Sequence, residues 1–111
     1  MPQKAIVIGA GLGGLSAASL LAVRGWEVSL FEKNSTPGGK MQQWQSGGYR
    51  FDTGPSLLTM PFIIEKLFSE CGYNVHDFLT LIEPTPLCRY FYNDGIIFDN
   101  DSDRNTSIRN I

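Results

Sequence analysis

The run Gly9-Ala10-Gly11-Leu12-Gly13-Gly14 decides how the chain is read. It has the spacing G-x-G-x-x-G with one further glycine inside it. Each glycine has its own task in such a turn. Gly9 lets the chain leave a strand sharply, Gly11 lets backbone approach a pyrophosphate with no side chain between, and Gly14 lets the following helix lie close to the sheet. The pyrophosphate would rest on the helix N-terminus, where unpaired N–H groups and the positive end of the helix dipole favour an anion. Glycine-rich turns are common, so the surroundings must carry the reading.

Those surroundings fit. Lys4 to Ile8 is a short apolar run rich in branched residues, as in a strand buried on both faces of a parallel sheet. Leu15, Ala18, Leu21 and Ala22 then recur at helical spacing, and Gly25 stands where a left-handed C-terminus would want it, which predicts a helix of about three turns. Trp26 to Phe31 reads as a second buried strand and ends at Glu32, roughly 20 residues beyond the glycines. A carboxylate there is placed to accept hydrogen bonds from the hydroxyls of an adenosine ribose, and it repels a 2′-phosphate, which disfavours NADP. The expected class is α/β: the N-terminal βαβ of a Rossmann-like dinucleotide-binding domain, with an incomplete parallel sheet.

After Glu32 the expected alternation fails. Asn34-Ser35-Thr36-Pro37-Gly38-Gly39 is turn chemistry with no room for a helical period, and Lys40 follows it. A simple NAD dehydrogenase would be expected to begin another helix here. Backbone amides at a Gly-Gly step with a nearby ammonium suit the phosphates and ribityl chain of a longer dinucleotide, so FAD is the expected cofactor. Further on, Met41 to Gln45 and Gly48 to Phe51 flank Ser46-Gly47 as a small hairpin. Pro61 to Cys71 has one apolar face, Pro at its start and Gly72 beyond its end, which predicts a second helix. Cys88 to Tyr92 and Ile96 to Phe98 straddle Asn93-Asp94-Gly95 as a second hairpin, and the tail from Asn100 is polar with no apolar period.

With those residues in view, the chain from Ala5 to Gly39, together with Phe51-Asp52-Thr53-Gly54-Pro55, resembles the N-terminus of the FAD-dependent phytoene-desaturase and amine-oxidase group. Gly54 to Pro61, with a helix after it and Thr85-Pro86 ahead of a Tyr-rich hairpin, most resembles the bacterial carotenoid-desaturase branch. The resemblance implies that Gly9, Ala10, Gly11, Gly13 and Gly14 surround the pyrophosphate, that Glu32 holds the adenosine ribose and that Gly39 and Lys40 lie beside the phosphates. It implies that Gly54 and Pro55 lie near the flavin ring. The family more often has arginine in place of Lys40, and lysine offers a point charge without a bidentate fork. For Asp52 and Gly54 a plain turn before a helix fits equally well. The implied activity is stepwise introduction of C=C bonds into a small apolar substrate, a carotenoid precursor, with flavin as hydride acceptor. An amine-oxidase-like or other FAD or NAD oxidoreductase stays open, as does a nucleotide-binding fragment without activity.

The remaining features narrow the class. The 111 residues are 42% hydrophobic and 18% charged, as in an ordinary globular chain. Nine basic against 11 acidic residues, a net charge of −2 and no run of like charge argue against a nucleic-acid partner. No apolar stretch reaches transmembrane length, so the expectation is a cytoplasmic protein, with peripheral membrane association left open. Cys71 and Cys88 have no metal-ligand spacing and are expected as buried or half-buried thiols; no metal is expected. His76 reads as a surface residue. Tyr90, Phe91 and Tyr92, with Trp44 and Tyr49, fit sheet packing better than a substrate channel. No catalytic acid or base is assigned, and nothing bears on oligomeric state. Residues 1–111 are expected to form the N-terminal part of an FAD-binding domain, as a fragment of a longer protein.

Overall fold

The computed structural model describes residues 1–110. The chain falls into two compact units, Met1–Leu79 and the residues from Thr80 onward.

In the first unit, β1 (Lys4–Ile8) and β2 (Glu27–Phe31) pair in parallel, in a register that sets Lys4 beside Glu27 and Ile8 beside Phe31. The crossover between them is α1 (Leu12–Val23). It ends as the sequence expects: Gly25 takes φ +86°, its N–H donates to Ala22 C=O, and Trp26 N–H donates to Leu21 C=O. Those paired bonds satisfy carbonyls that the helix itself leaves free. No charged residue occurs between Leu12 and Val23, so α1 has no polar face of the kind a surface helix carries.

Burial on β1 alternates. Ala5 and Val7 are half-buried, whereas Ile6 is 71% and Ile8 87% exposed. The sequence reading expected cover on both faces; here one face of the strand is covered and the other is bare. Only Ala10 and Val75 among the described residues are buried apolar residues.

Beyond β2, the hairpin of β3 (Gln43–Ser46) and β4 (Tyr49–Asp52) turns at Gly47-Gly48 instead of Ser46-Gly47. Both turn residues have positive φ, +57° and +82°. A two-residue turn of this kind needs that conformation at both central positions, which Gly-Gly supplies and Ser46 resists. Trp44 and Phe51 face each other across the strands with ring centroids 5.7 Å apart. Helix α2 (Pro61–Glu70) has its proline in the first turn, and a 3₁₀ turn at Val75–Asp77 follows it. Phe78 packs on Phe68 and Tyr73, at 5.5 and 5.7 Å. His76 is exposed, as expected.

The second unit is the hairpin of β5 (Cys88–Phe91) and β6 (Ile97–Asn100), followed by α3 (Arg104–Arg109). Tyr90 stacks on Phe98 at 5.9 Å, and Arg89 makes a two-pronged ion pair with Asp99, Nε to Oδ1 at 2.6 Å and an Nη to Oδ2 at 2.8 Å. Trp44 and Tyr90 thus pair with an aromatic across their own hairpins, as expected for sheet packing, whereas Tyr49, Phe91 and Tyr92 are exposed. The polar tail contains α3, which no apolar period announced. Asp103 starts it by accepting hydrogen bonds from the N–H groups of Asn105 and Thr106. Cys88 is exposed, contrary to the expectation of a covered thiol, because it lies on a hairpin whose strand positions Cys88–Phe91 are all exposed; Cys71 is half-buried.

Among the described residues no helix is long and apolar enough to cross a membrane, and no cluster of His, Cys, Asp or Glu is set to hold a metal.

Candidate dinucleotide site

The end of β1, the glycine turn and the start of α1 form the centre of the site. Gly9 N–H donates to Phe31 C=O at 2.7 Å, which extends the β1–β2 ladder by one bond into the turn. Gly14 then lies against that turn: a Cβ there would collide with the Gly9 carbonyl oxygen and stand 3.0 Å from its carbon and 3.6 Å from Val7 Cγ1. The third glycine of the motif therefore sets the distance between α1 and β1. Gly13 is different. It is exposed, and a Cβ on it would meet nothing within 4 Å.

No side chain caps α1. Gly11 occupies the N-cap position, and the first turn has no acidic residue. The first intrahelical bond runs from Leu15 N–H to Gly11 C=O, so the N–H groups of Leu12, Gly13 and Gly14 precede the helical ladder. These donors, with the dipole behind them, make an anion-binding end beside an open glycine surface.

The second glycine pair comes directly onto this turn. Gly38 N–H donates to Ala10 C=O at 2.7 Å, and Gly11 and Gly38 form an isolated parallel bridge. Gly39 has φ +63°, and a Cβ on it would lie 2.8 Å from Gly11 Cα. Gly54 packs in the same way on the next segment, where a Cβ would collide with Lys40 C=O and lie 2.9 Å from Met41 Cα. Three glycine sites spread over more than 40 residues are thus brought into backbone contact, and side chains at Gly39 or Gly54 would force the segments apart. Lys40 is exposed and makes no ion pair among the described residues. Pro55 is exposed beside Gly54.

Glu32, half-buried at the end of β2, uses both carboxylate oxygens. Oε2 accepts Ala10 N–H at 2.7 Å and Oε1 accepts Asn34 N–H at 2.9 Å. The Asn34 and Ala10 donors hold its carboxyl below the ordinary carboxylate range. Ala10 itself is 2% exposed, with its N–H on Glu32 and its C=O on Gly38. Sequence reasoning gave Gly38 a role only as half of the Gly-Gly step whose amides suit the phosphates, and did not foresee its bond to Ala10. A Pro-Gly-Gly turn signals positive φ, but the bond to Ala10 is tertiary and leaves no local mark.

Comparison with known proteins agrees with this geometry. Residues 7–71 match the family model described as an NAD(P)-binding Rossmann-like domain. The chain belongs to the NAD(P)-binding Rossmann-like domain family. Within it, this member is similar to a 4,4'-diapolycopene oxygenase of Methylomonas sp, with 47% identity over 98% of the present chain and 22% of that protein. It is also similar to the 4,4'-diaponeurosporene oxygenase of Staphylococcus aureus strain USA300, at 46% over 89% of the chain and 20% of that protein. The chain spans about a fifth of the length of these curated relatives. The resemblance to carotenoid-desaturase-type flavoproteins read on Gly54 to Pro61 leads to the same group as these carotenoid oxygenases.

Proposed function

We propose that this Rossmann-like unit holds the ADP half of FAD, with the pyrophosphate on the N-terminus of α1 and the adenosine ribose at Glu32. The observation that carries the reading is the uncapped start of α1 opening beside the bare Gly13 surface, one turn of chain away from the Glu32 carboxylate. Gly9, Ala10, Gly11, Gly13 and Gly14 would shape the phosphate seat, and Gly39 and Lys40 would border it. Gly54 and Pro55 would continue the wall toward the flavin. Lys40 supports this role by having a free charge next to the glycine cluster. An acid at Glu32 disfavours NADP, and the turn at Gly38-Gly39 favours an extended dinucleotide over NAD.

The full-length protein, in this reading, is an FAD-dependent oxidoreductase acting on a small apolar substrate of the carotenoid class, and the present chain is the N-terminal part of its cofactor domain. When bound, FAD would supply the two-electron redox chemistry that none of these side chains can perform. The residues described here bind and orient the nucleotide and place no acid or base on the substrate. The exposed area supports a unit that needs further cover. It amounts to 9233 Å², whereas a folded body of this mass exposes about 6,000 Å² and two separate bodies of these lengths roughly 7,200 Å².

Two activities follow from the group. Desaturation is the reading taken from Gly54 to Pro61; oxygenation is favoured by the names of the two relatives. Denaturing the purified full-length protein and separating the released small molecules tests the cofactor: FAD is expected, and a nicotinamide nucleotide without flavin refutes the proposal. Mass analysis of a polyene incubated with the holoenzyme separates the two activities, because desaturation removes hydrogens in pairs and oxygenation adds oxygen.

A further inference from the structure

We infer that Glu32 is a positioning residue for the phosphate-binding turn, in addition to being the ribose acceptor of the proposed site, on which this inference rests. Ala10 is the link. Its N–H is a buried donor in a residue 2% exposed, and its hydrogen-bond partner is the Glu32 carboxylate, 22 positions along the chain. A buried N–H without a partner is strongly disfavoured, so the path of the chain through Ala10 depends on that carboxylate. Ala10 C=O is fixed in turn by Gly38 N–H, and Gly9 N–H by Phe31 C=O. The turn is therefore stitched to the end of β2 on one side and to the second glycine pair on the other. Gly11 and Leu12, whose backbone leads into the uncapped helix start, follow directly from this anchored residue.

The two roles are compatible. An ionised carboxylate offers about four lone-pair sites, and the backbone donors of Ala10 and Asn34 use one on each oxygen. A site remains on each oxygen for a ribose hydroxyl. The turn is thus set before any nucleotide arrives, which removes ordering cost from binding. Glutamine in place of Glu32 keeps the length but has one acceptor oxygen, and its amide NH₂ would meet one of the two N–H donors head on.

The test compares ADP with 2′,3′-dideoxy-ADP, which lacks both ribose hydroxyls, on the full-length protein stripped of its nucleotide, as wild type and as Glu32→Gln. If Glu32 sets the turn, the substitution weakens dideoxy-ADP roughly three- to tenfold, and ADP by more. Dideoxy-ADP affinity unchanged by the substitution, with ADP weakened, overturns the inference and leaves the ribose contact standing. Wild-type protein that binds neither ligand overturns the proposed site itself. A second measurement needs no variant: in nucleotide-free wild type labelled with 15N-alanine, the Ala10 amide resonance is expected to move with the titration of Glu32, below the ordinary carboxylate range. An Ala10 resonance that stays fixed through that acid titration overturns the inference even if Glu32→Gln does not fold.

Discussion

Replacing Gly14 with alanine, and separately Gly13, isolates the helix–strand approach on which the site depends. At Gly14 the added Cβ runs into the carbonyl of Gly9, 3.0 Å from its carbon against the 3.5–4.0 Å or so of an ordinary carbon–carbon contact. The obstruction is backbone, so no rotamer relieves it, and α1 has to retreat from β1. Overpacking of this kind costs about 1–3 kcal/mol, partly offset by the ~0.5–1 kcal/mol that alanine gains over glycine within a helix. Gly13 is one residue earlier in the same helix, with nothing within 4 Å of its Cβ position, and it receives only the gain. The gain is common to both, so the two neighbouring substitutions should differ by the overpacking cost itself, about 1–3 kcal/mol, with Gly14→Ala the less stable. Urea unfolding of the nucleotide-free full-length protein reads this as a lower midpoint for Gly14→Ala and an equal or higher one for Gly13→Ala, at unchanged slope. Equal midpoints, or a lower midpoint for Gly13→Ala than for Gly14→Ala, would refute the assigned packing.

Other outcomes follow from the same geometry. Gly39→Ala combines a left-handed φ of +63° with a Cβ 2.8 Å from Gly11 Cα; it should destabilise the protein by about 1–3 kcal/mol and weaken FAD binding, checked by unfolding and by flavin fluorescence titration. Glu32, Asp99 and Asp103 all have carboxyls held below their ordinary values, by the N–H groups of Asn34 and Ala10, by Arg89 and by Thr106 respectively. A depressed carboxyl contributes stability that is complete above its unfolded value, near 4, and is lost as pH falls through the folded one. The unfolding midpoint should accordingly fall on acidification below about pH 4.5 and stay level above it; a midpoint that rises on acidification would contradict these bonds. Asp103→Ala removes the acceptor for the first N–H groups of α3, and amide hydrogen exchange across Arg104–Arg109 should accelerate while that of β5 and β6 does not.

What the sequence made legible was local. The apolar run Lys4 to Ile8, the helical spacing from Leu15 to Ala22 and the glycine after it each dictate one element, and β1, α1 and β2 formed where those signals placed them. The turn at Gly47-Gly48 was misplaced by one residue because Ser46-Gly47 and Gly47-Gly48 are both turn dipeptides; only the requirement for two positive φ angles separates them. Helix α3 depends on the Asp103 cap and lies in a polar segment, where a search for apolar period has nothing to find. At the candidate site, the glycine motif and Glu32 were readable from spacing. The contacts of Gly38 with Ala10, of Gly39 with Gly11 and of Gly54 with Lys40 were not, since close approach between distant segments is a tertiary property. The bond from Ala10 to Glu32 belongs with them. A carboxylate at a strand end suggests an external hydroxyl, and the internal N–H it accepts becomes visible only once the turn is folded.

The most direct test of the account is a crystal structure of the full-length protein with its nucleotide bound, refined without the ligand and inspected at the start of α1. The account predicts pyrophosphate oxygens within hydrogen-bond distance of the backbone N–H groups that open α1 at Leu12 and Gly13, with the adenosine ribose hydroxyls on Glu32. Density showing another protein segment capping α1, with the nucleotide bound elsewhere, would contradict it.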